Sequence, residues 1–85
     1  MDSYACLCCG YKTLSTLGSY LICPVCYWED DPFQSDSPDL CGANNMSLRN
    51  AQRNYLELQV CDIAMKSFVR QPKSEENRDI NWSFL

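Results

Sequence analysis

The sequence predicts a small α+β domain in which a β-hairpin carrying two cysteine knuckles precedes a long acidic loop and two α-helices. Three observations lead there. Cysteines fall in two Cys-x-x-Cys steps, Cys6 to Cys9 and Cys23 to Cys26, with thirteen residues between them. The residues between the steps alternate like paired strands around a turn that contains glycine. Beyond residue 46 the apolar residues recur at helical spacing.

The elements follow in order. Tyr4-Ala5 reads as a short strand entering the first knuckle. Tyr11-Lys12-Thr13-Leu14 is rich in strand formers, Ser15-Thr16-Leu17-Gly18 turns, and Ser19-Tyr20-Leu21-Ile22 returns to the second knuckle. That hairpin would bring both cysteine pairs to one pole, and Tyr27-Trp28-Glu29 would add a further short strand. Residues 30–46 hold two prolines, a glycine and many Asp, Asn and Ser residues, which break any period. A loop of this length is expected to drape over the core through Phe33, Leu40 and Met46.

Ser47 is a good N-cap for the first helix, where Leu48, Ala51, Tyr55 and Leu58 share one face. Arg53 and Glu57 stand four apart on another face. Asp62 caps a second, shorter helix running to Val69, with Met65, Phe68 and Val69 turned inward, and Pro72 stops it. The predicted domain is 1–73. A charged linker and an aromatic tail, with Ile80, Trp82 and Phe84 alternating against polar neighbours, make up 74–85, and that tail is too apolar to be simply disordered.

The paired steps carry the chemistry. Two thiolates separated by two residues can both face one ion, and a glycine such as Gly10 often follows because the chain then turns left-handed. Cys6, Cys9, Cys23 and Cys26 are therefore the predicted metal ligands, in a four-cysteine zinc ribbon with one structural Zn2+. A sequence of 85 residues builds only a modest core, and a metal is a common remedy. Seven cysteines are an odd number, and Met1-Asp2-Ser3 does not open a secretory signal, so the expectation is a cytoplasmic chain with reduced thiols rather than a disulfide scaffold. Four thiolates also suit a single iron. The Cys9-Gly10-Tyr11 run is similar to that of rubredoxin, but rubredoxin spaces its pairs much farther apart and lacks a helical C-terminal half. Zinc is favoured over iron. Cys8, Cys41 and Cys61 read as buried free thiols by default, with an exposed, redox-sensitive Cys8 as the alternative.

Composition narrows the functional classes. No histidine is present, which removes Cys–His and Ser–His pairs, and a closed four-cysteine site leaves no coordination position for water. The chain is expected not to be an enzyme. No segment reaches the about 20 apolar residues of a membrane span. Residues 1–48 carry one base, Lys12, against six acids, a net of −5, whereas residues 49–85 carry six bases against five acids. An acidic metal end makes nucleic acid a poor partner and a basic protein a better one. The predicted partner-binding residues are Trp28, Glu29, Asp30, Asp31, Asp36 and Asp39 in the acidic segment, with Trp82 and Phe84 in the tail. The competing reading is a nucleic-acid-binding ribbon using Arg49, Arg53, Lys66, Arg70 and Lys73; a third is a thiol or iron redox protein.

These residues also carry a family likeness. Cys6 to Tyr11, Gly18-Ser19-Tyr20, Ile22 to Cys26, Trp28-Glu29-Asp30-Asp31, Gly42-Ala43-Asn44, Ser47-Leu48, Ala51, Asn54-Tyr55, Cys61-Asp62 and Val69 to Pro72 together resemble the small bacterial cysteine-rich CPCC family, over residues 5–73. The Trp-Glu-Asp-Asp run is its most specific part. Leu7 stands where the family name has proline, and Gln52 where an arginine is expected. The resemblance, with the small size and acidic charge, implies an accessory or immunity-type inhibitor that neutralises a toxin or enzyme by direct binding. Non-catalytic protein binding on a zinc-stabilised scaffold is the function this reading expects.

Overall fold

A computed structural model describes residues 3–85. Strand β1 (Tyr4–Ala5) pairs antiparallel with β2 (Lys12–Leu14), Tyr4 opposite Leu14 and Ala5 opposite Lys12, with a bulge between Tyr4 and Ala5. The pairing departs from the predicted hairpin. Residues 11–14 pair backwards across the first knuckle rather than forwards with 19–22. The segment 20–22 instead folds across the second knuckle, where Tyr20 N–H reaches Asp30 O at 3.1 Å and Ile22 bridges Glu29. Each cysteine step is thus the tip of its own small hairpin. The knuckle turn's own hydrogen bonds, Gly10 N–H to Cys6 O and Cys6 N–H to Tyr11 O, hold 11–14 against the residues before Cys6.

The acidic segment is also not a plain loop. Pro32–Asp36 forms a short helix, α1, whose N-cap is Asp31: its Oδ1 accepts from Phe33 N–H at 2.9 Å, and Pro32 occupies the first turn, where a missing N–H costs nothing. Phe33 and Leu40 remain exposed and only Met46 is half-buried, so apolar draping does not hold this segment down. Polar side chains do. Gln34, fully buried, donates through Nε2 to Leu40 O and Met46 O at 2.8 and 2.9 Å, while its Oε1 accepts from Asn44 N and Nδ2 at 3.1 and 2.9 Å. Asn44 in turn brackets Glu29, accepting from its N–H at 3.0 Å and donating to its carbonyl at 2.8 Å. It stands in for the missing strand beside the second knuckle hairpin.

Helix α2 (Leu48–Leu58) forms as its pattern predicts. Ser47 Oγ caps it by accepting from Asn50 N–H at 3.1 Å, and Gln59 ends it in the left-handed region at φ 60°. Leu48, Ala51, Gln52 and Tyr55 face the core; Leu58 is only half-buried. The second helix is a correction. Asp62 caps it, its Oδ1 accepting from Ala64 N–H at 3.0 Å, but Ile63–Phe68 is a six-residue 3-10 helix with Phe68 exposed. None of its residues is buried, so no packed face draws it into the predicted inward-facing helix.

The core sits between α2 and the two knuckles. Its buried cluster is Leu14, Val25, Trp28, Leu48, Ala51 and Tyr55 together with Cys6, Cys8, Cys9, Cys23, Cys26 and Cys61, so half of it is cysteine. Over this core the tail returns. Asn77 O accepts from Lys12 N–H at 3.0 Å, Asp79 N–H donates to Gly10 O at 2.8 Å, and Arg78 bridges Tyr11 in antiparallel fashion.

Candidate metal centre

The two knuckles share one backbone design. In the first, Gly10 N–H donates to Cys6 O at 2.7 Å and Cys6 N–H to Tyr11 O at 3.0 Å. In the second, Tyr27 N–H donates to Cys23 O at 2.8 Å and Cys23 N–H to Trp28 O at 2.9 Å. Both turns require a left-handed residue after the second cysteine: Gly10 has φ +83° and Tyr27 φ +71°. Glycine adopts this freely, whereas tyrosine there costs about 1 kcal/mol. Packing of the Tyr27 ring on Phe68, 5.7 Å between centroids, offsets part of that strain. Gly10 has a second reason to be glycine, since a Cβ there would lie 2.5 Å from the Trp82 ring.

These turns bring the sulfurs of Cys6, Cys9, Cys23 and Cys26 within 4.8 Å of one another. Cys6 and Cys26 Sγ are 3.5 Å apart, and Cys9 and Cys23 Sγ 3.8 Å. A tetrahedron of thiolates at the usual zinc–sulfur length has edges of about 3.8 Å. All four side chains are fully buried. Val25 N–H points at Cys23 Sγ from 3.4 Å and the Thr13 hydroxyl lies 3.1 Å from it. Burial holds the Cys6 and Cys26 thiols well above the ordinary range, while S–H groups of Cys26, Cys6 and Cys9 converging on Cys23 lower that one. Burial of this kind disfavours ionised thiols, and a dication at the centre is what would offset it. The donor set therefore fits a metal ion.

Arg78 and Trp82 close the first knuckle from outside. Arg78 Nε donates to Cys9 O at 3.0 Å, and its guanidinium carbon lies 4.6 Å from the Tyr11 ring centroid and 4.9 Å from that of Trp82. A cation stacked between aromatic faces is favourably placed. Trp82 Nε1 and Gln52 Nε2 both donate to Leu7 O, at 2.7 and 2.9 Å, and Gln52 Oε1 accepts from Leu85 N–H at 2.8 Å. Gln52 thus acts as a buried amide clamp between knuckle and tail, a role its place one turn after Leu48 on the apolar face hints at. Arg78 gave no such hint.

The remaining thiols divide by environment. Cys8 is fully buried and outside the set of four, so an exposed, redox-sensitive Cys8 is ruled out by its position. Cys61 is buried against the second knuckle, its N–H donating to Cys26 O at 2.8 Å, and burial pushes its thiol up to about 12. Cys41 is exposed.

The residues predicted for partner contact do not form one surface. Trp28, Asp30 and Asp31 are buried, each at most 3% exposed, and serve the fold. Asp30 Oδ2 accepts from Gly18 N–H at 2.7 Å, and Asp31 Oδ2 from Ala43 N–H at 2.8 Å. Acids in a Trp-Glu-Asp-Asp run look solvated in sequence, but here two of them are buried and paired with backbone N–H groups of neighbouring turns. Asp36, Asp39 and Phe84 are exposed, and Glu29 and Trp82 half-buried. Asp39 is paired with Arg49 at 2.6 Å, and Phe84 packs edge-on against Trp82, 4.7 Å between centroids.

Fold and site together fit a small metal-binding module built on paired cysteine knuckles. The sequence profile of the family described as Cysteine-rich CPCC matches residues 4–76, and the chain belongs to that family. No curated protein matches it significantly. Among the described residues, no helix is long and apolar enough to cross a membrane.

Proposed function

We propose that this chain is a non-catalytic, zinc-stabilised protein-binding module that acts by occluding a basic partner, in the manner of an immunity-type inhibitor of a toxin or enzyme. The observation that carries the metal half of this reading is the enclosure of four cysteine sulfurs in one fully buried cluster. Four thiolates complete a tetrahedron and leave no position for a substrate or an activated water, which is the mark of a structural rather than a catalytic ion. Soft thiolate donors select zinc or iron over magnesium or calcium. The binding half is supported by the acidic balance of the chain and by exposed apolar side chains at Leu17, Tyr20, Leu21, Ile22 and Phe33, beside carboxylates at Glu29 and Asp36. Apolar anchors with an acidic rim suit a basic protein surface.

The basic residues needed for nucleic-acid binding are partly engaged within the fold. Arg49 pairs with Asp39, Arg70 with Glu76, and Lys66 donates to Leu58 O. One experiment tests both halves. Protein purified under reducing conditions is expected to be colourless, to hold one zinc per chain, and to form a 1:1 complex with the product of the neighbouring gene. Reversal of Glu29 and Asp36 to lysine is expected to dissolve that complex and leave the zinc in place. A visible absorption band with bound iron would replace the zinc reading, and a complex indifferent to both reversals would move the interface elsewhere.

A further inference from the structure

A cavity of about 140 Å³ lies between the second knuckle hairpin, the 43–46 segment and the start of the 3-10 helix, lined among others by Ile22, Tyr27, Glu29, Met46, Asp62 and Met65. We propose that it receives a lysine side chain from the basic partner protein. The inference rests on the protein-binding reading above and names the chemistry of the contact.

Size decides against a cofactor. Cavities that take drug-sized or cofactor-sized ligands start at about 300 Å³, so this one suits a single side chain. Charge then selects which one. Among the described residues the only charged groups lining it are the carboxylates of Glu29 and Asp62. By contrast, the cavity beside the end of α2 is lined by Lys66 and Arg70, and the one between α2 and the tail by Arg49 and Arg53. Among the described residues the Glu29 carboxylate accepts no hydrogen bond, while both its backbone groups are fixed by Asn44. Asp62 uses Oδ1 as a helix cap, and Oδ2 remains free to accept.

The rest of the lining matches a lysine stem. Ile22, Met46 and Met65 are flexible or branched apolar surface against which four methylenes can lie, with the ammonium reaching the carboxylates. The Tyr27 ring adds an aromatic face for the cation. A protein rather than a free amine is the expected source, because Tyr20, Leu21 and Ile22 extend an exposed apolar strip from the rim of the cavity.

Methyl NMR on the metal-loaded protein tests this, with Nα-acetyl-lysine N-methylamide as the probe and its norleucine counterpart as the control. Saturable shifts of the Ile22, Met46 and Met65 methyls are expected from the lysine compound and much smaller ones from norleucine. Glu29→Gln and Asp62→Asn, which keeps the helix cap, are each expected to weaken the response roughly two- to fivefold. Equal response to norleucine, or no shift of these methyls by about 50 mM probe, a limit even for a weak single-side-chain contact, overturns the proposal. If the neighbouring gene product binds without moving these methyls, the cavity is wrong and the binding reading stands. If the probe fills the cavity and no complex forms, the cavity stands and the binding reading falls.

Discussion

Cys61 shows how a single buried side chain reports on the fold. Its thiol is pushed up to about 12, first by burial and then by the nearby Cys8 and Asp62. An unfolded chain releases that proton above about pH 8.5, whereas the folded chain retains it. The folded state then binds more protons than the unfolded, so this contribution to stability is complete below pH 8.5 and is lost as pH rises towards the folded value. Melting of the metal-loaded, reduced protein is expected to drop steadily between about pH 9 and pH 11. Cys61→Ala should melt lower at pH 7, because a buried sulfur is removed, yet show a shallower alkaline decline. An identical slope in the variant would mean that other groups, such as Tyr55, carry the whole effect.

At the scale of elements, what was legible depended on which kind of interaction holds each element. The cysteine spacing identified the four sulfurs that the fold brings together, because a Cys-x-x-Cys turn is a local geometry, closed the same way whether Gly10 or Tyr27 takes the left-handed position after it. Helix α2 was legible for the same reason, a local period plus a cap. The hairpin was not, since strand-like alternation in 11–14 and 19–22 says nothing of which neighbour each stretch will choose. Nor was the seat of residues 30–46, whose Gln34 and Asn44 look like solvated polar residues until their partners are seen. That seat yields a prediction. Gln34→Ala would orphan the carbonyls of Leu40 and Met46 and two donors of Asn44. Buried groups left unpaired, together with the space vacated, amount to about 3 kcal/mol or more. Urea unfolding of the metal-loaded variant measures the loss, and exchange of the Asn44 and Glu29 amides should accelerate with it. A loss below about 1 kcal/mol would show that water replaces the amide and that the segment is held elsewhere.

Taken whole, the molecule is organised around a deficit. Six of the twelve residues in its buried cluster are cysteine, and the large apolar side chains among the rest are few: Leu14, Val25, Trp28, Leu48 and Tyr55. A core of this size contributes about 3–5 kcal/mol. A four-thiolate zinc site contributes about 10–16 kcal/mol at neutral pH. The ion would therefore outweigh the core, with the returning tail adding packing of Trp82 against Gly10 and hydrogen bonds such as Arg78 Nε to Cys9 O. Metal removal is the decisive measurement. Under reducing conditions, excess chelator is expected to collapse the dispersed amide spectrum and the near-ultraviolet signal of buried Trp28 together, because four buried thiols cannot remain ionised without a cation. Zinc or cadmium should restore both at one equivalent, and magnesium should not. Acid should act as chelator does, since each ligand must shed a proton to bind and regains it as pH falls. If the Trp28 signal survives in the metal-free chain, the cysteines are packing as ordinary small apolar groups and the knuckles are ornament on a core that stands alone. If it is lost and returns with metal, the fold itself is the metal's product, and the surface offered to a partner exists only while the ion is held.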